Sequence, residues 1–276
     1  MNPAGLPFAA PGAHATGAGS PIELIVVAAA ASAIAAYATG VVVSRRRGRP
    51  WPWPRPALWT AGVVLAAISA AGPLASAAEA SFVAHMWAHL LGGMLAPLLL
   101  VLAAPVTLAL RTLHVTPARR LSRLLRSGPA RFVAHPVTAL ALSSGGLWLI
   151  YRTPVFEAMH ADPLLRLVVH AHLLVAGCLF TAAIVGLDPR PHPSRRTLLA
   201  IVLVIAVASH GILAKHLAAD PPAAVPADDA QAGAQLMYSL GGWVEAAVIL
   251  VFCAQWYRAA GRRRASAPAD AASLAR

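Results

Sequence analysis

Long apolar runs separated by short, arginine-bearing polar stretches dominate this chain. Seven runs are long enough to cross a hydrocarbon core of ~30 Å, which takes about 20 mostly apolar residues. They lie at 22–43, 58–78, 83–110, 133–150, 164–187, 197–218 and 236–257, the fourth being the shortest. The pattern predicts an all-α polytopic membrane protein, a bundle of about seven transmembrane helices. Local residue choices agree with it. Asp162 before Pro163 makes an N-cap and first-turn pair for the fifth helix. Pro97 and Pro105 predict bends in the third. Small residues at Gly92-Gly93, Ser143 to Gly146 and Gly241-Gly242 predict close helix contacts.

The domain reading follows directly: residues 1–20 as a disordered tail, 21–258 as the membrane domain, and 259–276 as a basic disordered tail. The first 22 residues hold no Lys or Arg, so they lack the charged start of a signal peptide, and the first apolar run reads as an uncleaved span. No internal repeat or second domain is visible.

Composition supports a membrane solvent: 58% of residues are hydrophobic and 12% charged. The charge pattern gives an orientation. Arg45, Arg46, Arg47, Arg49 and Arg55 fall between the first two helices, and Arg111, Arg119, Arg120, Arg123, Arg126 and Arg131 between the third and fourth. Arg190, Arg195 and Arg196 fall between the fifth and sixth, and Arg258, Arg262, Arg263 and Arg264 after the seventh. Basic loops stay in the cytoplasm, which puts the N-terminus outside and the C-terminus inside. A net charge of +12 would suit nucleic acid, but arginines dealt to alternate loops are a topology signal and a contact with anionic membrane lipid. Residues 117–126 place Leu121, Leu124 and Leu125 on one helical face with arginines around the rest, as in a helix lying on the inner surface.

Five histidines lie inside apolar runs: His85, His89, His170, His172 and His210. Intramembrane ionisable groups are expensive and mark sites that handle ions, protons or metals. At 1.5 Å per residue His89, His170, His172 and His210 all fall roughly 9 to 12 Å below the outer surface, with His85 at the rim. His85 and His89 share a helix face, whereas His170 and His172 are ~200° apart, so at least one of the five has another task. Neutral imidazole suits copper, zinc, iron or nickel, and thioether sulfur favours Cu(I). Met86, Met94 and Met237 sit in the same half. The other histidines, His160 and His216 among them, read as loop or rim residues facing solvent and headgroups. Cys178 and Cys253 are far apart and form no CxxC, so neither a disulfide nor a redox motif is indicated. Both read as small apolar side chains buried in their spans.

Between about residues 60 and 257 the chain carries, in order, His85-Met86 and His89, APLLLVLAAPVTLALR at 96–111, His170-Ala171-His172 followed by AGCLF and GLDPRP, Ser209-His210-Gly211, and Asp228-Asp229-Ala230-Gln231 leading to Met237, Gly241 and Gln255-Trp256. In these motifs it resembles the seven-helix CtaG-type cytochrome c oxidase assembly factors of the caa3 type. The resemblance implies a non-enzymatic protein of the bacterial plasma membrane, with cytochrome c oxidase subunits and an extracytoplasmic copper donor as partners. It also implies copper supply to the oxidase's outer copper centre, with His85, His89, His170, His172 and His210 as copper ligands, Met86 and Met237 as auxiliary ones, and Asp229 pairing with a rim histidine. Two departures stand out. Relatives often carry a Trp-His pair where this chain has Trp148-Leu149-Ile150-Tyr151. The acidic residue often found after the glycine of the last helix is Gly242 here, with Glu245 three residues deeper as its substitute.

Two alternatives remain open at this level. Two histidines from different helices at one depth could hold a b-type haem, or the histidines could be interhelical hydrogen-bond partners in a metal-free scaffold for oxidase subunits. A conventional enzyme finds no support, because no nucleophile elbow, HExxH or phosphate-binding glycine loop is present.

Overall fold

The computed structural model describes residues 20–188, 194–223 and 225–265, with side chains through 261. Residues 1–19 and 266–276 of the two expected tails lie outside the described residues, as do Arg190 and His192. Regular structure in the described residues is helical, and five helices are long and apolar enough to cross a membrane, six if one bent pair counts as a single span.

Helix α1 (Pro21–Arg46) starts where Ser20 Oγ accepts the Glu23 N–H at 3.2 Å, and ends on Arg45 and Arg46. It packs on α2 (Pro54–Ala70) and turns Leu24, Ile25 and Val27 outward. Gly72, at φ 81°, lets the chain turn by 41° from α2 into α3 (Pro73–Ala80).

The central span is α4 (Phe82–His89), a π-helical segment Leu90–Leu95 and α5 (Ala96–Leu102). It is the most buried of the spans. Pro97 explains the wide turn: it has no N–H for the Gly93 carbonyl, and its ring would crowd that oxygen in a regular helix. Gly177 of α12 (Pro163–Val185) fills the gap so closely that a Cβ there would lie 2.6 Å from the Gly93 oxygen. A Cβ on Gly92 would meet Ser69 Oγ at 2.2 Å. Gly92, Gly146 and Gly241 therefore sit at close contacts, as the sequence predicts, whereas a Cβ on Gly145 or Gly242 would meet nothing within 4 Å.

The third run does not continue to residue 110. Ala104 adopts a left-handed conformation, φ 53°, and Pro105 opens a separate helix, α6 (Pro105–Thr112). Pro105 is thus a helix start rather than a bend. Asp188 caps α6, accepting from Thr107 N at 2.8 Å and Thr107 Oγ1 at 2.6 Å, so the APVTLALR and GLDPRP strings meet in one cap. The Ala103 carbonyl, freed at the break, accepts the Tyr37 hydroxyl at 2.7 Å, and Trp51 Nε1 donates to that hydroxyl at 3.0 Å.

Next come α7 (Val115–Leu125) and α8 (Gly128–Val133), neither burying any residue. Leu124 is 64% exposed on α7, as expected of a surface-lying amphipathic helix. The fourth run is α9 (Pro136–Leu140), a π segment Ala141–Gly145 and α10 (Gly146–Arg152). At ~1.5 Å per residue this is roughly 25 Å of helix. It joins the two ends of the bundle: Leu140 packs on the cluster of Leu98, Ile184 and Leu199, while Leu147, Ile150 and Tyr151 belong to the cluster of Phe82, Met159 and Leu217.

A short α11 (Val155–Ala161) precedes α12, whose start is capped as predicted: Asp162 Oδ1 accepts from Leu164 N at 2.8 Å. The last two spans are α13 (Arg196–Ala219) and α14 (Ala227–Ala265), the latter running past residue 258. Cys178 and Cys253 are free thiols, and Cys253 faces outward instead of being buried. At the histidine-bearing end Arg166 pairs with Glu79, and Arg152 with Asp220 at 2.8 Å. The hydrogen bond and charge of Arg152 hold the Asp220 carboxyl below its ordinary range.

Candidate metal centre

The starts of α4, α12 and α14 and the finish of α13 gather at one end of the bundle, so histidines a few turns in come to a common level. His89 and His210 meet at its middle, their ring centres 6.1 Å apart. Both are buried, at 5% and 7% exposure. Glycines make their room: a Cβ on Gly93 would stand 3.1 Å from His89 Nδ1, and one on Gly241 would stand 2.4 Å from His210 Cε1.

The hydrogen bonding of this pair is incomplete. His210 Nδ1 lies 3.2 Å from Glu245 Oε1, while His210 Nε2 and both nitrogens of His89 are buried without a partner among the described residues. A carboxylate accepts only from a protonated nitrogen, so Glu245 holds the neutral His210 as the Nδ1–H tautomer and leaves Nε2 with its lone pair free. This is the carboxylate–histidine arrangement that orients metal-binding imidazoles. A cavity of about 80 Å³ adjoins the pair, lined also by Met94, Ser143, Ser144 and Glu245.

The remaining histidines are arranged differently. His85 Nε2 is 3.0 Å from the Tyr151 hydroxyl, and its ring stands 5.9 Å from that of His160. His170 Nδ1–H donates to the Arg166 carbonyl at 2.9 Å. His85, His89 and His170 line a second cavity, of about 470 Å³. His172 turns away to the exposed side, where Nε2–H donates to the Leu142 carbonyl at 3.1 Å and the ring covers Gly146. Helical spacing requires His170 and His172 to diverge, and it is His172 that turns to the outside.

Among the described residues no three His, Cys, Asp or Glu side chains close on a single point. The structure brings together His89 and His210, and separately His85, His160 and His170. Met86 and Met237 are fully buried in the apolar cluster of Phe82, Leu213 and Leu217, and neither lines the cavity beside His89 and His210. Asp229 instead caps α4, accepting from Phe82 N at 2.6 Å and Ser81 Oγ at 3.2 Å. That corrects its expected rim pairing: an unsatisfied helix start nearby holds the carboxylate. His160 packs at 4.6 Å from Phe156, and His216 stacks on Trp148 at 6.0 Å, so neither is merely a solvent-facing residue. Tyr151 and the two notch glycines, Gly93 and Gly241, give no metal-site signal in the sequence.

Proteins of Mycobacterium bovis and Mycobacterium tuberculosis, both described as uncharacterized, are 36% identical over 156 residues, covering 52% of this chain and 24% of their own length. An uncharacterized protein of Mycobacterium leprae is 34% identical over 140 residues, 48% of this chain and 21% of that protein. The chain thus spans about a quarter or less of these relatives. No solved structure matches it. The model of the cytochrome c oxidase caa3 assembly factor family (Caa3_CtaG) matches residues 35–259, nearly the whole membrane domain. With its several apolar spans and bacterial relatives, the chain belongs to the cytochrome c oxidase caa3 assembly factor family, as a multi-pass protein of the bacterial plasma membrane.

Proposed function

We propose that the protein holds a Cu(I) ion between His89 and His210 and supplies it to the outer copper centre of a haem-copper oxidase. On this reading it crosses the membrane seven times, with Pro136–Arg152 as the short pass. The arginine distribution then puts the N-terminus and histidine end outside and the C-terminus in the cytoplasm. The partners are oxidase subunits and an extracytoplasmic copper donor, and the chain performs no turnover chemistry.

The observation that carries the reading is the set of orphaned imidazole nitrogens on His89 and His210. Leaving buried polar atoms unpaired costs about 1–3 kcal/mol each, and a soft cation bound to one nitrogen of each ring removes that cost there. The 6.1 Å between ring centres is a span that two metal–imidazole bonds of about 2.0 Å can bridge. Two imidazoles leave coordination positions open, which suits cargo that must be handed on. The Met94 side of the adjoining cavity offers a thioether neighbour.

The haem alternative fits poorly at this pair: about 80 Å³ holds roughly two to three waters at ~30 Å³ each, not a macrocycle. The scaffold alternative has support at His85, His170 and His172, each of which has a polar partner.

The test is the copper-to-iron ratio of the oxidase purified from cells whose own copy of this protein is replaced by variants. Oxidase from His89→Ala and His210→Ala cells should lack copper while the variants insert at wild-type levels. Full copper in both would refute the assignment.

A further inference from the structure

The cavity of about 470 Å³ adjoins the proposed copper position through His89, and nothing in that reading uses its space. It lies between α1, α2, the central span and α12. Helix α1 packs on α2 and α6 and leaves a seam toward α12, where Ile25, a lining residue, is 59% exposed. The cavity therefore opens sideways into the bilayer.

Its chemistry is selective in three ways. Among the described residues no Asp, Glu, Lys or Arg lines it, so a charged headgroup would enter without a counter-ion there. Ala33, Ala66, Ala88 and Gly92 form part of the walls, and their small size leaves room for a ring between the larger aliphatic lining residues. Polar groups converge on it nonetheless. Neutral His89 carries one N–H and one lone pair, both without a protein partner. His170, whose Nδ1–H is committed to the Arg166 carbonyl, retains an accepting Nε2. A simple acyl chain would leave these groups unmatched, whereas a head with carbonyl and hydroxyl oxygens satisfies them. The volume falls within the ~300–1,000 Å³ of small-molecule pockets.

We propose that this cavity binds an uncharged, planar, carbonyl-bearing membrane lipid of the isoprenoid quinone class, which enters between α1 and α12. A quinone carbonyl accepts the His89 N–H, a hydroxyl of the reduced quinol form donates to His170 Nε2, and the tail lies along the alanine faces of α1 and α2 toward the bilayer. The proposal is independent of copper, because a neutral or a metal-bound His89 keeps a nitrogen for the ligand.

Trp59 provides the readout: it lines the cavity, with its Nε1 donating to the Ala33 carbonyl at 3.0 Å. Copper-free full-length protein in quinone-free nanodiscs would be titrated with ubiquinone-1, and the quenching removed by Trp59→Phe taken as the signal. Saturable quenching is expected. Affinity should fall by about tenfold or more in the cavity-filling variants Ala66→Phe and Ala33→Leu, and by roughly fivefold in His89→Leu, which loses the hydrogen bond. Quenching that rises linearly, or that is unchanged in cavity-filled variants melting like wild type, would overturn the proposal. So would equal competition by undecane, which points to an acyl chain, or hemin binding with a bis-imidazole spectrum in preference to the quinone. If neither filled variant folds, photolabelling of wild type with an azido-quinone decides: label on α1, α2 or α12 beside the cavity supports it, and label elsewhere overturns it.

Discussion

Neighbouring glycines on α14 should respond in opposite ways to the same substitution. At Gly241 an added Cβ would lie 2.4 Å from His210 Cε1, while at Gly242 it would meet nothing within 4 Å. Carbon atoms are comfortable at about 3.5–4.0 Å, so Gly241→Ala must drive the imidazole back by more than about 1 Å. Such a movement breaks its 3.2 Å contact with Glu245 or lengthens the gap to His89. Both variants gain the same helix propensity, about 1 kcal/mol. The difference between them is therefore the overpacking cost, about 1–3 kcal/mol. Thermal unfolding in one detergent should place Gly242→Ala at or above wild type and Gly241→Ala clearly below Gly242→Ala. Competition with a Cu(I) chelator should show weakened binding only in Gly241→Ala. Equal stability and equal copper affinity in the two variants would refute the notch geometry.

Other consequences are direct. Glu245→Gln can keep a hydrogen bond to His210 but loses the charge that makes the ring a better donor to metal, so copper affinity should fall about 10–100-fold with the fold intact; chelator competition would show it. Asp229→Ala removes the cap of α4 and should cost about 1–2 kcal/mol of stability, with copper affinity per folded molecule unchanged. His172→Ala should leave copper stoichiometry at the wild-type value, since its ring packs on Gly146 away from the pair; loss of copper there would contradict the division of the five histidines.

Much of the fold was legible because a bilayer leaves the backbone little choice: an apolar run must become a helix, so length alone located most spans. The start of α12 was legible to the residue, since Asp162-Pro163 caps and opens it. Direction changes inside an apolar run were not. Ala103 and Ala104 are as apolar as their neighbours, and the reversal there depends on Tyr37, Trp51 and Asp188 from distant segments. The level of the histidines followed from helical rise, but their rotation depended on packing. Spacing showed that His170 and His172 diverge without showing which one faces inward. Met86 and Met237 looked like ligands because a thioether can bind copper, yet both fill apolar space. The glycines that admit His89 and His210 looked like ordinary helix-packing residues, because a notch is visible only once its occupant is placed.

Copper X-ray absorption on the Cu(I)-loaded protein tests the central claim most directly. The account predicts about one copper per chain, with a first shell of two imidazole nitrogens at about 2 Å, lost in His89→Ala and in His210→Ala and retained in His172→Ala. A shell dominated by sulfur, or one unchanged in both the His89 and His210 variants, would contradict it.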